Sequence, residues 1–437
     1  WKMERQKLNE LLIWKNKTSR KPLIVKGARQ VGKTWLVKDF GKNHYQQTAY
    51  FNFEKNTRLK TLFSGDFDVN RLLSGLQIES GLIFDQANTL IFFDEIQEVP
   101  RAITSLKYFC EDAPQYHIIA AGSLLGVSLH ENVSFPVGKV EFLNLYPLNF
   151  VEFLMAAGEN GLVGLLQNPD WEMITTFKTR FIERLKQYYY LGGMPEVLNT
   201  FFSGGNFQEA KKIQLEILTA YDLDFSKHAP SEIVPRIRLA WNSIPAQLAR
   251  ENRKFVYGLI KEGARAREFE IALAWLTDSG NVHKVFRVSK PDIPLLSYQD
   301  NSAFKLFVVD LGLLSAMCDI NLKTILDGND IFTEFKGALT EQFVLQQFKS
   351  VGLENVFYWS ADRSTAEVDF VVQFEGSAIP VEVKALENLK AKSLKIYHEK
   401  FSPVFAVRAS MADYKVNDWL INLPLYTINL INGIISQ

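Results

Sequence analysis

Residues able to do chemistry begin with Gly27-Ala28-Arg29-Gln30-Val31-Gly32-Lys33-Thr34. This run satisfies G-x-x-x-x-G-K-[ST] at every fixed position. Pro22–Lys26 before it is a short apolar stretch that reads as a strand, and Lys33 to about Phe40 reads as a helix. A glycine loop between a strand and a helix lets backbone N–H groups wrap phosphate oxygens, and the helix N-terminus adds partial positive charge. In that chemistry Lys33 reaches the β and γ phosphates and Thr34 binds Mg²⁺. A second pattern, Ile91-Phe92-Phe93-Asp94-Glu95, is an apolar strand ending in carboxylates. It sets Asp94 beside the glycine loop as a Mg²⁺ ligand, with Glu95 as the general base for an attacking water. Ser123, after Ala121-Gly122, has two readings: a sensor of the γ-phosphate or a helix-capping serine. Lys139 and Arg101 are candidates for a charge-stabilising finger, and each reads first as a surface or structural cation.

The elements that must hold these groups alternate between strand and helix. Residues 1–20 read as an amphipathic helix with Leu8, Leu11, Leu12 and Trp14 on its apolar side. Strands are expected at 22–26, 48–53, 89–94, 116–121 and 139–145, with helical stretches between them. That alternation implies an α/β fold with a parallel sheet covered on both faces. The extra strand at 48–53, lying between the two motifs, points with Glu95 to the P-loop ATPases that use a catalytic glutamate. Residues 147–202 read as helical and aromatic-rich, with a turn at Gly192-Gly193, and Ser203–Asn206 reads as a linker. Three domains are expected: 1–203, a P-loop ATPase with a helical subdomain; 204–328, a connector; and 329–437, a second α/β domain. The cluster Asp327–Asp330 is read as the loop between the last two.

The connector carries a helix from Pro245, a turn and second helix over Gly263–Gly280, and a small strand pair within 281–288. Helix, turn, helix and hairpin suggest a winged helix. Lys254, Lys261, Arg265 and Arg267 cluster near the second helix, and Lys284, Arg287 and Lys290 near the wing. Such a surface suits DNA phosphates. The competing reading is a winged helix that only packs on the adjoining ATPase.

In the last domain, Glu341 falls on a helix from Thr333 to about Ser350. Glu367–Val372 and Ile379–Lys384 read as neighbouring strands, which puts Asp369 with Val371, and Glu382 with Lys384, each pair on one face. The plain reading is an exposed charge pair of little consequence.

Bulk properties bound these readings. Lysine and arginine number 49, as do aspartate and glutamate, so the net charge of zero argues against a grossly basic nucleic-acid binder. Two distant cysteines, Cys110 and Cys318, form no disulfide framework and fit a reducing, cytoplasmic setting. No apolar run is long enough to cross a bilayer and no secretory signal pattern opens the chain, so no membrane partner is expected.

The segments Gly27–Thr34, Phe92-Phe93-Asp94-Glu95-Ile96-Gln97, Ala121–Gly126, Tyr146–Phe153, Leu191–Val197 and the terminal Glu-Val-Asp-Phe and Val-Glu-Val-Lys resemble an AAA+-type ATPase family of bacteria and archaea with a C-terminal domain of unknown function. The resemblance spans nearly the whole chain. It implies ATP rather than GTP as the bound nucleotide. Mg²⁺-dependent hydrolysis is the expectation from the two motifs, and DNA, a protein partner and further copies of the chain are the candidate partners. Members often carry arginine where this chain has Lys139, which weakens a finger role there. Asp369 followed by Glu382-x-Lys384, in an α-β-β-β-α-β order after Glu341, resembles the PD-(D/E)XK nuclease core. That resemblance implies Asp369 and Glu382 as ligands of a second Mg²⁺ or Mn²⁺, Glu341 as an auxiliary ligand, and Lys384 as the group that activates water. A nucleotide-gated switch with an inactive nuclease-like domain is the alternative.

Overall fold

Leu23–Lys26 (β1), Gln47–Asn52 (β2), Thr89–Asp94 (β3), His117–Gly122 (β4) and Glu141–Asn144 (β5) make a five-stranded sheet in the order β2-β3-β4-β1-β5. Every pairing is parallel. The sequences of β3 and β4, TLIFFD and HIIAAG, are buried at every residue. Near-continuous apolar runs of this kind belong to central strands covered on both faces. Because all strands run one way, the loops after β1, β3 and β4 emerge at the same edge. That edge receives the glycine loop, Asp94 and Ser123. The computed structural model describes residues 3–123, 125–128, 135–250, 254–322, 333–361, 365–385 and 392–435, with residues 333–336 described by backbone alone.

Helices cover this sheet for local reasons. Asn56 and Asp68 cap Thr57–Ser64 and Val69–Ser80 by accepting from the backbone N–H groups of Arg58 and Arg71. Each cap stabilises its helix by about 1 kcal/mol. Lys33–His44 buries Leu36, Val37 and Phe40. One side of the core is an aromatic nest. Phe93 lies 5.4 Å from Phe53, 5.9 Å from Phe63 and 6.2 Å from Phe109, ring centre to ring centre.

The chain divides into two compact units. One comprises Arg5–Tyr146 with Trp275–Asn281, and the other includes Pro147–Ala274 and Val282–Gln437. The second unit holds an eight-stranded mixed sheet in the order β12-β13-β11-β10-β9-β8-β6-β7. Its strands are Val282–Val288 (β6), Gln299–Val308 (β7), Val356–Ser360 (β8), Glu367–Phe374 (β9), Ser377–Val383 (β10), Ala406–Ser410 (β11), Lys415–Asn417 (β12) and Leu420–Pro424 (β13). Thr333–Ser350 is a helix whose residues 338–348 are all buried. Its glutamines use their amides as backbone substitutes. Gln342 accepts from the Val308 N–H and donates to the Val308 carbonyl, and Gln346 accepts from the Leu311 N–H. Buried polar side chains on a core helix are tolerated because they are paired in this way.

Several expected elements take a different form. The first helix is Leu8–Lys15, shorter than expected, with Leu11 and Trp14 as its buried residues. The strand at 47–52 lies at the sheet edge, and β4 separates β1 from β3. Residues 282–288 are a single strand. Its antiparallel partner is β7, reached across Pro291 and Pro294, and its other neighbour is β8, to which it runs parallel. The expected hairpin is therefore part of the eight-stranded sheet. A short window hides this, because the pairing depends on a strand some seventy residues further along the chain. The Asp327–Asp330 cluster falls outside the described residues.

Candidate functional site

The glycine loop leaves β1 in a conformation that side chains resist. Gly27 has φ 154° and Gly32 has φ 93°. A Cβ on Gly27 would lie 2.1 Å from the Leu145 carbonyl oxygen, so only glycine fits. Gln30 is also left-handed, with φ 64°. Left-handed residues in such a loop build the backbone concavities that receive anions. Arg5 braces the loop from behind. Its guanidinium donates to the Val31 carbonyl at 2.9 Å and to the Tyr146 carbonyl at 2.6 Å.

Lys33 and Thr34 open the helix that follows. The Lys33 ammonium donates to the carbonyls of Gly27 at 2.9 Å and Ala28 at 2.7 Å. Burial pushes its pKa down to about 8, with Glu95 and Asp94 opposing the shift. Thr34 Oγ1 donates to the Asp94 carboxylate, lying 3.1 Å from Oδ1 and 3.0 Å from Oδ2. The Tyr50 hydroxyl donates to the same Oδ2 at 2.9 Å, and the Lys38 ammonium sits 3.7 Å from the Tyr50 ring centre. Asp94 is buried, and desolvation raises its pKa despite the bonds from Tyr50 and Thr34.

Glu95 sits one residue past β3 in the left-handed region, φ 52°. Its Oε2 accepts from Gln97 Nε2 at 2.6 Å and from Ser123 Oγ at 3.3 Å. Ser123 is thus a partner of Glu95. The fold brings Lys33, Thr34, Asp94, Glu95 and Ser123 together at one sheet edge. The donors suit a phosphate and its magnesium: a glycine cradle, a buried ammonium, and a hydroxyl and carboxylate that are hard oxygen ligands. Arg101 donates to the carbonyls of Phe63 and Gly65, and Lys139 pairs with Glu111 at 2.9 Å. Both cations are committed to local structure. Sequence reasoning missed Arg5, Tyr50 and Gln97. The Gln97 signal was its place two residues after the carboxylates, whereas Arg5 and Tyr50 carry no local pattern.

A second group of charges gathers in the C-terminal region. Glu341, on the buried helix, and Asp369, on β9, share a hydrogen bond. Burial, followed by the charge of Glu341, raises the Asp369 carboxyl well above the usual carboxylate range. Asp369 Oδ2 also accepts from the Val383 N–H at 2.7 Å. Lys384 lies just past β10, where its N–H donates to the Ala409 carbonyl. Its ammonium is 2.9 Å from Glu382 Oε1. Burial opposes the charge of Lys384, yet Glu382 holds its pKa above the ordinary value. Lys305, on β7, was not anticipated. Its side chain is 0% exposed, with Nζ 2.6 Å from Glu367 Oε1 and 3.4 Å from Glu341 Oε2. Among the described residues, no group of three or more His, Cys, Asp or Glu has the spacing to hold a metal ion.

The basic residues of the middle region are partly spoken for. Arg287 pairs with Asp300 at 3.1 Å, Lys290 pairs with Asp292, and Lys284 lies 5.3 Å from the Phe304 ring centre. Lys254, Lys261, Arg265 and Arg267 are exposed, with the equally exposed Glu262, Glu268 and Glu270 interleaved. No helix among the described residues is long and apolar enough to cross a membrane.

Comparison with known proteins gives the same reading of the first unit. Residues 19–154 match a family described as AAA domain. Residues 182–324 and 336–427 match two families, each described as a domain of unknown function. No curated protein matches the chain. Among solved structures, the Walker-type ATPase PABY2304 of Pyrococcus abyssi is similar at 14% identity and TM-score 0.45, over 72% of this chain and 96% of that one. The Aeropyrum pernix ORC1 protein, solved in complex with DNA, is similar at 14% identity and TM-score 0.28, over 72% and 91%. CDC6P from Pyrobaculum aerophilum is similar at 11% identity and TM-score 0.25, over 74% and 93%. At these TM-scores the three likenesses carry no weight for this chain.

Proposed function

We propose that this chain binds ATP on Gly27–Thr34 and hydrolyses it with Mg²⁺, using the energy to change its own conformation. The observation that supports the reading best is the hydroxyl of Thr34 meeting both oxygens of Asp94, directly beside the buried Lys33. Thr34 and Asp94 would hold the magnesium ion, which when bound neutralises phosphate charge. Gly27, Ala28, Arg29, Gln30, Val31 and Gly32 would wrap the phosphates with backbone N–H groups. Lys33 would exchange its carbonyl partners for phosphate oxygens. Glu95 would accept the proton of the attacking water, and Ser123 would hold Glu95 in place. A nucleotide-binding and turnover assay on the parent and on Lys33→Ala tests this. Turnover unchanged by the substitution would remove the assignment.

The proposal extends to DNA handling. It rests on the exposed Lys254, Lys261, Arg265 and Arg267, and the interleaved glutamates work against it. A gel-shift assay across a salt series tests it, because phosphate contacts predict binding that falls steeply with salt. A second reading concerns the C-terminal region. The sequence pattern of Asp369, Glu382 and Lys384 suggests a metal-dependent nuclease. The placement of Lys305 favours the nucleotide-gated alternative, in which that region cuts nothing.

A further inference from the structure

The C-terminal cluster contains four carboxylates, Glu341, Glu367, Asp369 and Glu382, and two lysines, Lys305 and Lys384. Lys384 occupies one oxygen of Glu382. Lys305 is the only one of the six contributed from outside the helix–strand run that begins at Thr333. Its four-carbon stem and ammonium are wholly shielded from solvent, and the ammonium also lies 5.0 Å from the Tyr358 ring centre. A lysine pays heavily for losing its hydration and stays charged in such a place only when carboxylates surround it. Glu367 and Glu341 supply them, and the charge of Lys305 reaches Asp369 as well.

We infer that Lys305 is the resident cation of this cluster, filling the part that a divalent metal takes in carboxylate sites of similar sequence. Part of the oxygen set a metal needs is already engaged. Glu341 Oε2 faces Lys305 at 3.4 Å, and Asp369 Oδ2 receives the Val383 N–H at 2.7 Å. A divalent ion placed between Glu341 and Asp369 would stand close to an ammonium shielded from solvent, where the repulsion is weakly screened. Glu382 Oε2 is buried without a hydrogen-bond partner, but one carboxylate oxygen is not a chelate. The cluster is therefore an ion network that ties β7, β9 and the buried helix together. This assignment is independent of nucleotide binding by the first unit.

Mn²⁺ titration by electron paramagnetic resonance, on nucleotide-free full-length chain, tests the inference. The parent is expected to show no Asp369-dependent site with a dissociation constant below about 1 mM. Lys305→Met is expected to gain such a site, at least about tenfold tighter, and to lose it again when Asp369→Asn is added. If Lys305→Met does not fold, Lys305→Met with Glu367→Gln removes the stranded charge and carries the same expectation. A tight Mn²⁺ site in the parent that Asp369→Asn abolishes would overturn the inference. So would a folded Lys305 variant that gains no site.

Discussion

The hydroxyl of Thr34 lies within 3.1 Å of both carboxylate oxygens of Asp94, although sixty residues of chain separate them. β4 stands between the strands that lead to them. Their meeting therefore depends on the parallel arrangement of three strands, and it fixes where a magnesium ion would be held. Tyr50 adds a third contact from the edge strand.

Tyr50→Phe removes the hydroxyl that donates to Asp94 and that accepts from Asn52 Nδ2 at 3.3 Å. A hydrogen bond to a charged group contributes about 1.5–3 kcal/mol. The expected outcome is weaker apparent Mg²⁺ affinity in ATP turnover, with maximal rate at saturating Mg²⁺ close to the parent. A Mg²⁺ titration of the rate checks it, and an unshifted midpoint would refute the positioning role.

Arg5→Leu takes two hydrogen bonds from the back of the glycine loop and leaves the carbonyls of Val31 and Tyr146 short of a donor. Thermal or denaturant unfolding should show a loss of about 2–4 kcal/mol. Nucleotide affinity should weaken as well, because Val31 belongs to the loop. Lost stability with unchanged affinity would make Arg5 a purely structural brace.

Lys33 gives a pH signature in the nucleotide-free chain. Burial lowers its folded pKa to about 8 from 10.5. Between those values the unfolded chain binds more protons than the folded one, so stability attributable to this group rises with pH through that window. Lys33→Met should be more stable than the parent at pH 7.5, and the difference should shrink by pH 10. Melting curves at several pH values check this. A difference that does not depend on pH would contradict a buried, strained charge.

Phe93→Ala tests the core that supports the site. Phe93 is fully buried against Phe53, Phe63 and Phe109. Removing it should cost about 3–5 kcal/mol by denaturant unfolding. A loss below about 1 kcal/mol would mean the neighbouring rings collapse into the space.

The first unit was legible because its chemistry is carried by short, contiguous signals. The glycine loop and the run Ile91–Glu95 each place their own functional groups, and the parallel sheet follows from strand–helix alternation. Lys33, Thr34, Asp94 and Glu95 come together as their motifs suggest. Ser123 follows β4, and its hydroxyl meets Glu95. Arg5, Tyr50 and Lys305 were invisible. Each acts across a long sequence separation with no periodicity or spacing to mark it. The hairpin of the middle region differs for a related reason: β6 pairs with β7 across Pro291 and Pro294 and also with β8, some seventy residues along the chain.

The most direct test of the ATPase account pairs equilibrium ATP binding with steady-state phosphate release for the parent and Glu95→Gln. Removing a positioned general base slows turnover by about 10²–10⁴-fold. The account predicts that the parent binds and hydrolyses ATP in the presence of Mg²⁺, and that Glu95→Gln binds it comparably while its turnover falls by that order. A parent that binds no ATP, or a Glu95→Gln chain that turns over at the parental rate, would contradict it.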